Sequence, residues 1–340
     1  MRQFVARPIY RPPSEGLRFL PECPRMLRNL PGGAPLVGWV GIQHGAGSCM
    51  GSINLLNLAS RQNTSFPLPG RPGFFVETEQ PGMLLIGLER RLVLFDLLAR
   101  RLIETGVRLP EDERVIINDG IAIAGGLLFG TKDLQFRERI AGLYRFDAES
   151  RSLTQLVAGE ICSNGKHLVR DADGAVLIEI DSLPRTITRY RLDAGLRRVL
   201  EQSLVVEPAL LPAIPDGLRA TPDGAGIVVA FYNPEAVSMG LAQEIRLADG
   251  AVLTEWLFPG SPRVTCPEFA WIDGRVQLIF TTATEGMARE IRDIAPEAGT
   301  MFCAETHFQT MPEPPPLLAM WRNPIGPPGT GKRLNTDERG

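Results

Sequence analysis

The feature that most limits the fold is a unit that returns along the chain. Met83–Ile86 is followed by Leu92–Asp96, Leu127–Gly130 by Leu143–Asp147, Val176–Ile180 by Ile187–Asp193, Ile227–Phe231 by Ala242–Leu247, and Val276–Thr281 by Gly299–Cys303. Short apolar runs bounded by turn residues read as strands. Three of the second runs share a shape that ends in an acid: Leu94-Phe95-Asp96, Tyr144-Arg145-Phe146-Asp147 and Tyr190-Arg191-Leu192-Asp193. The period of about 45–55 residues is that of one four-stranded propeller blade. Together with Ser52–Ala59, preceded by a strand at Leu36–Ile42, the units make six blades. A β-sandwich does not repeat at this period, so the expected fold is all-β, a six-bladed β-propeller with its blades packed radially around a channel.

A second repeat runs in step with the first. Asn118-Asp119-Gly120, Ser163-Asn164-Gly165 and Pro215-Asp216-Gly217 each precede a turn and an apolar strand. As isolated dipeptides, Asn-Gly and Asp-Gly are ordinary turn formers. Three copies ahead of equivalent strands are expected instead on loops that converge at one mouth of the channel. Two amides and one or two carboxylates form an oxygen-only set, which suits a hard divalent cation such as Ca²⁺, Mg²⁺ or Mn²⁺.

Other chemistries find little support. The net charge of −3, with acidic and basic residues interspersed, gives no electrostatic footing for nucleic acid. No apolar run has membrane-spanning length, and the Pro-broken N-terminus does not read as a signal peptide. Cys23, Cys49, Cys162, Cys266 and Cys303 show no CxxC spacing, and isolated thiols fit a reducing cytoplasm. His44, His167 and His307 are too scattered for a zinc helix motif; His44, in a Gly-rich loop, is the one of most interest. No G-x-S-x-G elbow occurs. Gly326–Lys332 resembles a phosphate-binding loop, but Arg333 follows the Lys and Pro-rich sequence precedes it, so no nucleotide is expected there. The expected layout is an N-terminal arm at 1–17, the propeller with its central metal site at 18–310, and a Pro-rich, disordered tail at 311–340. Helix is almost absent, with at most one turn at Pro234–Gly240.

Taken in order, Asn118-Asp119-Gly120 with Phe129-Gly130-Thr131, Ser163-Asn164-Gly165, Asp181-Ser182, Pro215-Asp216-Gly217 and Tyr232-Asn233 resemble the regucalcin/gluconolactonase family, which includes senescence marker protein and luciferin-regenerating enzyme. Leu20-Pro21-Glu22-Cys23-Pro24-Arg25 resembles that family's opening Glu-x-Pro. The resemblance spans about residues 18–305. It implies a six-bladed propeller, one divalent cation in the channel (Ca²⁺ first, with Mg²⁺, Mn²⁺, Zn²⁺ or Fe²⁺ as alternatives), and hydrolysis of a small lactone. By motif, Glu22, Asn164 and Asp216 would hold the metal, Asp216 would also be the general base, and Asn118 would contact substrate. The sequence departs from the family pattern at Ile116, where sugar-lactone members commonly carry Arg, at Met26 in place of an aromatic, and at Gly41 in place of Asp. Ile116, on the substrate side, would then favour a more apolar lactone or ester. The expected function is a metal-dependent lactonase or related ester hydrolase. The alternatives are a metal-binding propeller without turnover and a phosphotriesterase-like hydrolase at the same centre.

Overall fold

The computed structural model describes residues 1–30, 35–110, 112–171 and 173–319, and the loop-like motif at Gly326–Lys332 lies outside them. Six antiparallel sheets follow one another along the chain. Blade 1 comprises Pro21–Met26, Leu36–Gly41, Gly51–Asn57 and Asn63–Leu68; blade 2 comprises Pro72–Glu77, Met83–Leu88, Arg91–Asp96 and Arg101–Arg108. Blade 3 is Val115–Ile123, Gly126–Asp133, Ala141–Asp147 and Ser152–Glu160; blade 4 is Ser163–Asp171, Gly174–Asp181, Thr186–Leu192 and Val199–Val206. Blade 5 is Ile214–Ala220, Gly226–Tyr232, Met239–Arg246 and Val252–Pro259. Blade 6 takes three strands from the end of the ring, Val264–Ile272, Arg275–Thr282 and Met301–Glu305, and a fourth, Arg7–Tyr10, from the start of the chain.

That last pairing closes the ring. Arg7 lies opposite Cys303 and Pro8 opposite Phe302, while Arg2–Val5 adds a parallel strand to the outer edge of blade 5. Part of the expected N-terminal arm is therefore sheet. Its short, Pro-containing strands carry little hydrophobic pattern because each pairs along only one edge. At the other end, Leu318 is buried and its N–H donates to Glu77 O at 3.0 Å. Among the described residues the helices are Glu15–Phe19 and Arg289–Ile294, with one 3-10 turn at Pro208–Leu210, and 234–240 is not helical. Among the described residues no helix is long and apolar enough to cross a membrane.

The apolar runs singled out in the sequence are the second and third strands of their blades. Both faces of these strands are covered by neighbouring blades, so they read as continuous hydrophobic segments. Aromatic rings pack between blades: Phe74 stacks on Phe129 at 6.1 Å between blades 2 and 3, and Phe258 meets Phe280 edge-on at 4.7 Å between blades 5 and 6. The acidic strand ends have a local cause. Asp96 Oδ1 accepts from Leu98 N and Ala99 N at 3.0 and 2.9 Å, and Asp147 Oδ1 accepts from Ser150 N at 2.9 Å, so each carboxylate fastens the turn into the fourth strand.

Candidate active site

The Asn-Gly and Asp-Gly pairs, expected on loops, lie inside the innermost strands. Each of the six innermost strands breaks register near its start: between Glu22 and Arg25, Pro72 and Phe74, Ile117 and Gly120, Ser163 and Lys166, Pro215 and Leu218, and Val264 and Cys266. A bulge leaves residues outside the ladder and re-aims their side chains. Cys23 and Pro24, Asn118 and Asp119, Asn164 and Gly165, and Asp216 and Gly217 occupy these intervals. The glycines are required by contact rather than by turn geometry. A Cβ on Gly165 would lie 2.4 Å from Leu218 N, and one on Gly217 2.6 Å from Cys266 Sγ. Each bare backbone lets the next blade's innermost strand approach the channel.

Two of the expected residues meet at that level. Asn164 and Asp216 are both buried, and Asn164 Nδ2 donates to Asp216 Oδ1 and, at 3.2 Å, to Ser182 Oγ. Burial pushes the Asp216 carboxyl up to about 8, with the Lys132 ammonium and the Asn164 amide acting against the rise and Asp119 adding to it. Glu22 is half-buried on the innermost strand of blade 1. Burial, then the charges of Asp216 and Asp119, raise its carboxyl well above the usual range. Asn118 Nδ2 donates to Ser163 O at 3.0 Å across to blade 4. The same Nδ2 donates to Cys162 Sγ at 3.6 Å, which leaves Oδ1 for the channel. Ile116 is 1 % exposed and lies directly opposite Lys132 on the neighbouring strand.

Several participants were not assigned from the sequence. Asp119 is buried, its Oδ1 accepts from Gly120 N at 2.7 Å, and its Oδ2 has no hydrogen-bond partner. Lys132 and Glu285 add their charges to the same site. Tyr232 donates to Glu285 O at 2.9 Å, under the Arg263 guanidinium 5.2 Å from its ring centre. Three residues farther along the innermost strands than Glu22 and Asp216, Arg25 and Arg219 both approach Glu268, at 3.7 and 3.2 Å. Arg25 also lies 3.9 Å from Asp119. These groups form a charged network across blades 1, 5 and 6. The signal for Asp119 lay in the motif itself, whereas Lys132 sits within an apolar strand where nothing local marks it.

Two of the histidines have ordinary side-chain partners. His44 Nε2 shares a 2.9 Å hydrogen bond with Ser52 Oγ, and its ring lies 3.2 Å from where a Cβ on Gly41 would stand. Burial lowers the His44 and His167 imidazoles. His307 Nε2 lies 2.9 Å from Glu244 Oε2.

Among the described residues, no three His, Cys, Asp or Glu side chains gather as a metal cluster; the set at the mouth contains an amide instead. Three features of that set still fit a hard cation. Its donors are oxygens, the charges of Asp216 and Asp119 both bear on the Glu22 carboxyl, and Asp119 Oδ2 is buried without a partner.

A protein-family model described as the SMP-30/Gluconolactonase/LRE-like region matches residues 37–284. L-arabinolactonase of Azospirillum brasilense is 26% identical over 256 residues, covering 73% of this chain and 79% of that one. The calcium-binding protein regucalcin of Agrobacterium tumefaciens superposes with a TM-score of 0.72 at 19% identity, over 91% of this chain and 98% of that one. A luciferin-regenerating enzyme gives a TM-score of 0.74 at 16% identity, over 94% and 100% of the two chains. At these identities the two structures bear on the fold alone, and they agree with the six-bladed ring.

Proposed function

The chain belongs to the SMP-30/gluconolactonase/LRE-like family, and on that premise we propose that it is a hydrolase that opens a lactone, or a related ester, with water activated at the channel mouth. The observation that carries the reading is the meeting of Asn164 and Asp216 from two blades, with the charge of Asp216 bearing on Glu22 from a third. The lactonase activity named for the Azospirillum relative supports the reaction class.

Glu22, Asn164 and Asp216 would hold one divalent cation, Ca²⁺ first, in keeping with the calcium named for the regucalcin neighbour. Such a cation supplies carbonyl polarisation and a lowered pKa for bound water. The protein's own groups do the rest. Asp216 takes the proton of the attacking water. A general base works best with a pKa near the working pH, and burial moves this carboxyl in that direction. Asn118 exchanges its long 3.6 Å contact with Cys162 Sγ, a weak acceptor, for the lactone carbonyl, where negative charge develops. Ile116 backs the substrate wall.

The test is a panel of aliphatic lactones, sugar lactones, simple esters and a phosphotriester, assayed with wild type and Asp216→Ala. Lactone opening lost in the variant is the expected result. Turnover of the phosphotriester alone, or of nothing while a divalent cation still binds, would favour one of the two rival readings.

A further inference from the structure

Lys132 is a cationic group at the site that the reaction above leaves unused. It is 7 % exposed, on the second strand of blade 3, opposite Ile116 and bridged to Cys162, two residues from Asn164. Its Nζ makes no hydrogen bond or ion pair among the described residues. The ammonium lies 5.7 Å from the centroid of the Phe136 ring. Strand alternation explains its direction. Leu127 and Phe129 pack into the core shared with blade 2, whereas Leu128 packs with blade 4. Lys132 has the parity of Leu128 and stands at the mouth end of the strand, so it faces the blade 3–blade 4 side where Asn164 and Asp216 lie. Its charge acts on Glu22, Asp216 and Glu285. An ammonium with no protein acceptor is free to donate to an acceptor that enters the mouth.

The geometry points to Lys132 as a second catalytic residue, the proton donor to the ring oxygen of the lactone. This rests on the lactone-opening reading. Water adds its oxygen to the carbonyl carbon and gives one proton to Asp216. The carbon–ring-oxygen bond then breaks, and the ring oxygen leaves as a hydroxyl with a proton from Lys132. The neutral amine recovers its proton from Asp216. The new carboxylic acid loses its own proton to solvent, so one lactone and one water become one hydroxy-carboxylate and one proton.

The test varies the leaving group. An aliphatic δ-lactone expels an alkoxide, which needs a proton; dihydrocoumarin expels a phenolate, which needs one far less. General acid catalysis contributes about 10²–10⁴-fold. Lys132→Met, and Lys132→Gln as a second variant, should lose about 100-fold or more in kcat/KM on the aliphatic lactone. Their loss on dihydrocoumarin should be at least tenfold smaller. Removing the ammonium should also tighten Ca²⁺ binding, measured by calorimetry without substrate. Equal losses on both lactones in both variants would reduce Lys132 to a structural role and overturn the proposal while leaving the lactonase reading intact. Unchanged or weaker Ca²⁺ binding would overturn the placement of the ammonium beside these carboxylates. Wild type inactive on both lactones would overturn the underlying reading, and the proposal with it.

Discussion

Replacing Asp216 by asparagine should stabilise the cation-free protein, and by an amount that depends on pH. The carboxyl is held at about 8 in the fold, against 3.8 ordinarily, chiefly by burial. A group whose folded value is raised contributes stability that is fully present below its unfolded value and is lost as pH rises through its folded value. From pH 4 to pH 8 the wild type should therefore lose stability through Asp216, and Glu22 shifts in the same direction. The full span of roughly four pH units corresponds to ~6 kcal/mol at about 1.36 kcal/mol per unit. Water drawn into the mouth lowers the recoverable part to about 2–4 kcal/mol. An asparagine at this position keeps an oxygen to accept from Asn164 and carries no charge. With an unfolding entropy of roughly 0.7 kcal/mol/K for a chain of this length, that is about 3–6 °C in Tm at pH 8. Thermal melts of both proteins in chelator at pH 4, 6 and 8 measure it. The gap should open with pH, and saturating Ca²⁺ should reverse its sign. An Asp216→Asn variant no more stable than wild type at pH 8, or a gap that ignores pH, would refute the burial argument.

Two further outcomes separate roles within the site. Asn118→Ala should keep Ca²⁺ affinity within about threefold while lowering kcat by roughly 10–100-fold; calorimetry showing cation loss as large as in Asp216→Ala would merge the two roles. Ile116→Arg places a second cation directly opposite Lys132 in a position that is 1 % exposed, and should lower stability by about 3 kcal/mol or more without creating a preference for sugar lactones. An unchanged melting curve together with a gain on a sugar lactone would show instead that the position opens to substrate.

The ring was legible because the second and third strands of each blade are buried on both faces. Met83–Leu88 and Gly126–Asp133 have every residue buried and stand out as apolar runs. The fourth strands did not stand out: Val199–Val206 is largely exposed, and its apolar residues are split by Glu201-Gln202-Ser203. The innermost strands were misread for a different reason. Pro215-Asp216-Gly217 and Ser163-Asn164-Gly165 carry turn residues, yet neither glycine is in the left-handed region; they are small because the next blade touches them. Site candidates in repeated motifs, such as Asn164 and Asp216, could be found by comparing copies within the chain. Lys132 could not, since its significance comes from strand parity and from the missing partner for its ammonium, neither of which is local in sequence. Ile116 looked like a lost cation in the sequence; in the fold a lysine lies across the strand pair from it.

The most direct test of the account is lactone opening followed by proton release, in chelated protein and after stepwise return of Ca²⁺. The account requires activity to vanish on chelation and to return in proportion to the cation added, reaching its plateau at about one ion per chain. Chelated protein that opens the lactone at the undiminished rate would contradict the assignment of Glu22, Asn164 and Asp216 as a working cation site.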